Sequence, residues 1–266
     1  MPTPALPWIA DDEPLPPTAS ALGPGADAPG LLAIGPPVTP QRLEEAYRRG
    51  VFPWYSPGQP PLWWSPDPRM VLPLAEFKLS RSLRKTLRRF IADPRCEIRI
   101  DTSFSSVMQA CAQAPRQGQA GTWIVPELIA GYTAWHDQGR AHSVETWVDG
   151  ELVGGLYGVG GGEFGRMFFG ESMFARQADA SKIALAGLVA FCLAHGITLI
   201  DCQQHSDHLA SFGAREITRG EFEAHLNAVL GLTPPQDWNY HSSHWAQLGI
   251  GGTDGGTGGG TGAPED

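Results

Sequence analysis

Apolar and polar positions sort this chain into elements, most sharply between Phe168 and Gln203. That run reads FFGESMF, a mostly polar break ARQADA, SKIALAGLVAFCLAHG, and then ITLIDCQ. The first piece has strand composition, and Glu171 is its lone ionisable group. The middle predicts a helix, with Ser181 or Asp179 placed to cap its start and Gly196 to stop it. The last piece reads as a short β-branched strand ending in Asp201 and Gln203. Strand, helix, strand is a βαβ unit, so the two strands are expected to lie parallel with the helix crossing one face. Asp201 and Gln203, two positions apart, then point to the same side. They do so at the carboxyl end of a strand, where open sheets place their ligands. Glu171, Asp201 and Gln203 are expected to converge on one crevice; the plainer alternative is that Asp201 and Gln203 only cap a strand end.

The other segments are less regular. Residues 1–29 are rich in Pro, Ala, Gly and Asp without periodicity and read as a flexible extension. Order is expected from Gly30-Leu31-Leu32-Ala33-Ile34, followed by a helix in PQRLEEAYRRG with Thr39 as N-cap, Pro40 in the first turn and Gly50 as its stop. Five prolines from Pro57 to Pro68 argue against a regular helix or a central strand there. Trp54, Tyr55, Trp63 and Trp64 must bury in that region or offer a stacking surface. Residues 80–90 predict a second helix, CEIRIDTSF a strand, SSVMQACAQAP a short helix, residues 118–121 a loop, and 126–138 another helix stopped by Gly139. HSVETWVDGELVGGLYGVGGGEF is a hairpin with Asp149-Gly150 at its turn and a second, glycine-rich turn at Gly160–Gly162. A loop, a short segment and a helix follow Gln203. The tail from Gly251 is low-complexity and is read as flexible. The fold class expected is α+β, a mixed sheet with flanking helices, in a small N-terminal domain (30–76) and a larger one (77–250).

Composition narrows the chemistry. The 266 residues carry a net charge of −9, which argues against a general nucleic-acid binder. One helix face is the exception. Arg81, Arg84, Lys85, Arg88 and Arg89 recur at helical spacing with no acidic neighbour, a single-sign stripe suited to a phosphate backbone. Cys96, Cys111, Cys192 and Cys202 show neither CxxC nor Cys/His spacing, and Cys192 and Cys202 read as buried reduced thiols. His142, His205 and His208 have no metal-ligand spacing and are read as structural or loop residues, so no metal is expected. No signal peptide or membrane-spanning run is visible, and a cytoplasmic location is expected.

Several runs resemble the leucyl/phenylalanyl-tRNA–protein transferase family: FPWYSPGQPPLWWSPDPR (52–69), SRSLRK (80–85), GTWI (121–124), HSVE (142–145), LVGGLYGV (152–159), FFGESMF (168–174), ASK (180–182) and LIDCQ…DH…S.GA (199–214). They keep the family's order over about 200 residues. The resemblance implies a larger domain of N-acetyltransferase-like (GNAT) fold. It implies transfer of Leu, Phe or Met from an aminoacyl-tRNA to the N-terminal Arg or Lys of a protein, marking it for degradation. It makes Asp201 and Gln203 the catalytic pair and Glu171 the acid facing the aminoacyl group. Phe168, Leu156 and Trp123 become walls of the side-chain pocket, Trp63 or Trp64 the ring near the adenosine, and the basic helix the tRNA surface. Two positions depart from the family's pattern. Leu156 stands where Met is common, and Ser206 where Asn is common, which puts one substrate hydrogen bond in doubt; the turn at Gly160–Gly165 is also longer than usual. Transfer from ester to amine runs downhill, so no cofactor is expected. Two alternatives remain, a CoA-dependent N-acetyltransferase of the same fold and a non-catalytic tRNA-binding protein. The loop Arg176–Ser181 lacks the glycines of a pyrophosphate cradle, which disfavours CoA.

Overall fold

Thr39 leaves an extended segment and its hydroxyl accepts the Arg42 N–H, so the chain turns into α1 (Pro40–Tyr47) with proline in the first turn, where its missing N–H costs nothing. The computed structural model describes residues 7–35, 37–114 and 122–250; the loop expected at 118–121 and the tail from Gly251 lie outside them. Around α1 sit β1 (Leu31–Ile34), β2 (Phe52–Pro53) and β3 (Leu62–Trp64), an antiparallel sheet in the order β1-β3-β2. Thus β3 is a central strand, contrary to the reading of its proline-rich surroundings. Pro61 and Pro66 flank it, and the window between them keeps every N–H that a three-residue strand needs.

Residues 7–29 also depart from expectation. Ile9, Leu15 and Leu22 are buried. Arg42 donates to the carbonyls of Asp11 and Glu13, and Arg49 to those of Leu15 and Pro16. The segment needs no periodicity because guanidinium groups on α1 and just beyond it satisfy its carbonyls while scattered apolar side chains bury.

The larger sheet has seven strands: β4 (Arg69–Pro73), β5 (Cys96–Ile100), β6 (Ala141–Val148), β7 (Glu151–Gly160), β8 (Phe168–Ala175), β9 (Leu199–Gln203) and β10 (Arg215–Ile217). Their order is β10-β4-β9-β8-β7-β6-β5. Residues 69–73, grouped above with the small domain, therefore build the larger sheet. All pairs are antiparallel except β8 with β9, which run parallel across α5 (Ala180–Ala194). Neither candidate cap closes the start of α5 with its side chain; Asp179 takes a left-handed conformation and pairs with Lys182 at 2.7 Å.

One face of this sheet is covered by α5 and α2 (Arg81–Ala92), which inserts Leu83, Leu87 and Phe90. The other carries the small sheet, α1, α3 (Phe104–Gln113), α4 (Pro126–His136) and, beyond a single turn α6 (Asp207–Ala210), α7 (Arg219–Val229). Among the described residues no helix is long and apolar enough to cross a membrane.

The hairpin turn takes positive φ at both Asp149 and Gly150, 52° and 77°, as a two-residue primed turn requires. The glycines of β7 answer a different demand. A Cβ on Gly154 would lie 2.5 Å from that of Ala180, where α5 begins, and one on Gly158 would lie 2.3 Å from the Phe169 carbonyl oxygen. Gly158→Ala is expected to destabilise the protein by about 2–3 kcal/mol, because backbone and ring atoms must both move; urea unfolding of the variant measures it.

Candidate active site

The parallel strands pair only at Phe168–Ile200 and Phe169–Asp201. Beyond that point β8 stays with β7 and β9 with β4, and a cavity of about 190 Å³ opens between them. Its walls are Leu72, Leu156, Met173, Leu185, Leu188 and Ile200. Apolar cavities of about 150 Å³ take up benzene, so this one has room for an isobutyl or benzyl side chain. Glu171, Cys202, Gln203 and Ser206 line it and also a second, more polar cavity of about 370 Å³ walled by Phe52, Pro53, Trp54, Trp123 and Gln204.

Glu171 stands where the two cavities meet. Its carboxylate accepts from the Tyr47 hydroxyl at 2.7 Å, the Tyr132 hydroxyl at 3.3 Å and the Gln203 amide nitrogen at 3.3 Å. The two tyrosine hydroxyls lie 2.5 Å apart. Burial, joined by the charge of Asp201, pushes the Glu171 carboxyl up to about 7, against the pull of its tyrosine hydrogen bonds and of Arg69. Near neutrality this acid divides between its charged and neutral forms.

Asp201 occupies the layer behind. It is fully buried and meets Arg69, itself 1% exposed, in a two-pronged pair at 2.8 and 2.6 Å. A third guanidinium nitrogen donates to the Gly50 carbonyl at 2.9 Å, and the rings of Phe52 and Phe222 flank the cation. Asp201 Oδ1 also accepts the backbone N–H of Gln203, a residue itself held at φ +57°, at 3.0 Å. The expected convergence on one crevice therefore changes in part. Asp201 lines neither cavity, and it holds the main chain of Gln203 while Glu171 holds its side-chain amide.

The remaining candidates are spread over four places. Leu156 lines the apolar cavity, Trp123 the wider one and Ser206 both, while the Ser206 hydroxyl also accepts the Leu209 N–H at the start of α6. Phe168 is fully buried against Gly158, Gly160 and Trp238 and lines neither cavity. Trp63 and Trp64 bury in the small sheet; Trp64 donates to the carbonyl of Trp54, and of these three tryptophans it is Trp54 that lines the wider cavity. Arg81, Lys85, Arg88 and Arg89 are exposed on α2, and Arg84 is half-buried with a long bond to the Leu248 carbonyl. His142 is buried, stacked on Trp238 and bonded to Asp101.

Sequence reasoning missed Tyr47, Tyr132 and Arg69, and it named Trp54 only as a ring that buries or offers a stacking surface. Arg69 alone left a signal, as the one charge in the apolar strand RMVLP. Among the described residues no cluster of His, Cys, Asp or Glu is set to hold a metal ion.

An apolar cavity that meets a wider, aromatic-walled cleft at a polar junction can hold an apolar group beside a second substrate, as a transferase requires. Comparison makes that class specific. The family model for leucyl/phenylalanyl-tRNA protein transferase matches residues 71–227, and the model for that family's N-terminal domain matches 37–67. Leucyl/phenylalanyl-tRNA–protein transferases of Methylibium petroleiphilum and Leptothrix cholodnii are 64% and 61% identical to this chain, over 93% and 92% of it and 91% and 95% of their own lengths. That of Burkholderia ambifaria is 58% identical over 91% of this chain and 94% of its own. The chain belongs to the leucyl/phenylalanyl-tRNA–protein transferase family.

Two outcomes follow from the geometry. Arg69→Met strands a buried carboxylate and is expected to cost about 3–5 kcal/mol, whereas Arg69→Met with Asp201→Leu should recover much of that loss; denaturant midpoints of the single and double variants compare them. For Glu171 the folded state binds a proton that the unfolded chain, with a carboxyl near 4.5, releases earlier. Stability should therefore fall as pH rises from about 4.5 to 7, and Glu171→Gln should remove that part of the slope; urea titrations at pH 5 and pH 8 test it.

Proposed function

We propose that this protein transfers Leu, Phe or Met from aminoacyl-tRNA to the α-amine of an N-terminal Arg or Lys, marking the acceptor for N-degron degradation. The observation that carries the reading is the meeting of the apolar and wider cavities at Glu171 and Gln203. The apolar cavity would seat the side chain of the transferred residue, and the wider one the terminal adenosine and the incoming peptide.

An α-amine has a pKa near 8, so about a tenth is unprotonated at neutral pH, and orientation rather than a strong base supplies the rate. The Gln203 amide nitrogen is engaged by Glu171, and its oxygen has no protein partner among the described residues; it accepts an N–H of the amine and aims the lone pair at the ester carbonyl. The new C–N bond forms, the bond from carbonyl carbon to ribose oxygen breaks, and the amine's proton passes to the departing oxygen, by way of the neighbouring ribose hydroxyl. Asp201 acts through Gln203 as a positioning residue.

The α2 stripe is the surface we assign to the tRNA acceptor stem, supported by four exposed cations with no ion pair among the described residues. The larger sheet is read as N-acetyltransferase-like, on the strength of its parallel strand–helix–strand unit, with the small sheet as an N-terminal domain walling the cleft. A cytoplasmic location follows from the aminoacyl-tRNA substrate. CoA is disfavoured because Asp179 places a carboxylate at the start of α5, where a pyrophosphate would bind.

Labelled leucine should move from leucyl-tRNA to a peptide beginning with Arg and not to the same peptide beginning with Ala. Gln203→Ala should lower kcat at least about a hundredfold with tRNA affinity retained. Absence of label on both peptides, with acetyl-CoA acetylating an amine instead, would overturn the reading; tRNA binding without any transfer would favour the non-catalytic alternative.

A further inference from the structure

Three features that stand out in the sequence have no part in the chemistry above: the glycine-rich turn that begins at Gly160, the buried His142, and Phe168, which lines neither cavity. All three meet at Trp238, in the segment that follows α7. Its indole lies 3.5 Å from the His142 ring, 6° from parallel, and 4.9 Å from the Phe191 ring of α5 at 29°. His142 is a fixed plate, because Asp101 meets one of its nitrogens at 2.6 Å and the Gly139 carbonyl the other at 3.2 Å. The turn leaves room for the indole. A Cβ on Gly160 would lie 3.3 Å from Trp238 Cη2, and one on Gly161, where φ is +77°, would lie 3.3 Å from Trp238 Nε1. These glycines make a seat for a ring that arrives from a distant part of the chain.

Phe168 is the neighbour that matters for the site. Its ring centroid is 6.1 Å from that of Trp238. It pairs with Ile200 on one of the two rungs that join β8 to β9 before they part, and Ile200 walls the apolar cavity. Phe168 and the cavity walls Leu72, Leu156, Leu185, Leu188 and Ile200 belong to one apolar cluster, with the half-buried Trp238 packed at its margin. We propose that Trp238 is a positioning residue for the transfer: seated on His142 and Phe191, it backs Phe168 and so fixes the fork between β8 and β9 and the size of side chain the apolar cavity admits. The assignment deepens the transfer reading above and rests on it for the identity of the acyl group. Interiors are packed as densely as organic crystals, so a ring that loses a neighbour loses its contacts there and relaxes toward the space. With Trp238 cut back, Phe168 moves into the vacated volume, Ile200 follows across their shared rung, and the cavity widens. A bulkier side chain then gains contacts that a slimmer one loses.

Leucyl-tRNA and phenylalanyl-tRNA, offered separately with one peptide beginning with Arg, measure the effect. One methylene in an apolar pocket changes discrimination about 10- to 200-fold, and a wall moved through a neighbour carries a part of that. Trp238→Ala is therefore expected to raise kcat/KM for phenylalanine relative to leucine about three- to tenfold, and to speed amide hydrogen exchange over residues 168–175 and 199–203. Trp238→Phe keeps a ring on His142 and should hold the ratio within about twofold of wild type. A residue that only stabilises the fold would, when removed, lower Tm and the active fraction and depress both donors alike. A ratio within about twofold of wild type in Trp238→Ala therefore overturns the proposal. Gly160→Ala replaces that variant if it does not fold: the added Cβ would press on Phe168 Cδ2 at 3.0 Å, and a ratio changed by less than about twofold overturns the proposal there too. Faster exchange at the fork in Trp238→Ala, with no transfer by the wild type, would keep the seat and remove the transfer reading instead.

Discussion

The buried pair between Arg69 and Asp201 holds the site in place. Arg69 comes from β4, Asp201 from β9, the carbonyl that Arg69 also binds comes from Gly50 after α1, and the rings around it come from β2 and α7. One guanidinium therefore fixes the small sheet, the edge of the larger sheet and the last long helix relative to one another. Burying two charges costs several kcal/mol each unless their hydrogen bonds are met. Here three of the cation's donors and both carboxylate oxygens have partners. The pair is then less a source of net stability than a constraint on geometry, and what it constrains is Gln203.

From that point the site reads outward. Asp201 fixes the left-handed turn at Gln203, Gln203 reaches Glu171, and Glu171 is held by two tyrosines from helices on the opposite side of the cleft. The parting of β8 from β9 supplies the space. Two strands that kept their ladder would leave no cavity, and one filled by a larger residue at Gly170 would leave little, since a Cβ there already contacts Ile200.

Much of this was legible in the residues alone. Strand, helix and strand from Phe168 to Gln203 announce themselves because period, small residues and stop signals agree, and Glu171 and Gln203 stand out as polar groups in apolar strands. The expected convergence of three groups held for proximity but not for access, because a period of two says which way a side chain points and not whether water reaches it. Residues 7–29 and β3 were misread for one reason: their order comes from partners distant in sequence, guanidiniums for one and two flanking strands for the other. Tyr47 and Tyr132 lie on helices whose patterns only ask for apolar packing, so their hydroxyls gain meaning when α1 and α4 meet. The resemblance put Trp63 or Trp64 near the adenosine, whereas both are buried in the ladder with β1 and β2 and Trp54 lines the cleft.

The protein keeps two systems of charge under different physical regimes. Ions in solution screen over about 8 Å at physiological strength, and the cations of α2 stand in that solution. Arg69 and Asp201 do not, since no mobile ion reaches them. Salt is therefore a selective dial on this molecule. It screens the cations of the outer surface and leaves the inner alignment at Gln203 as it was, so the two systems of charge answer to solution conditions separately.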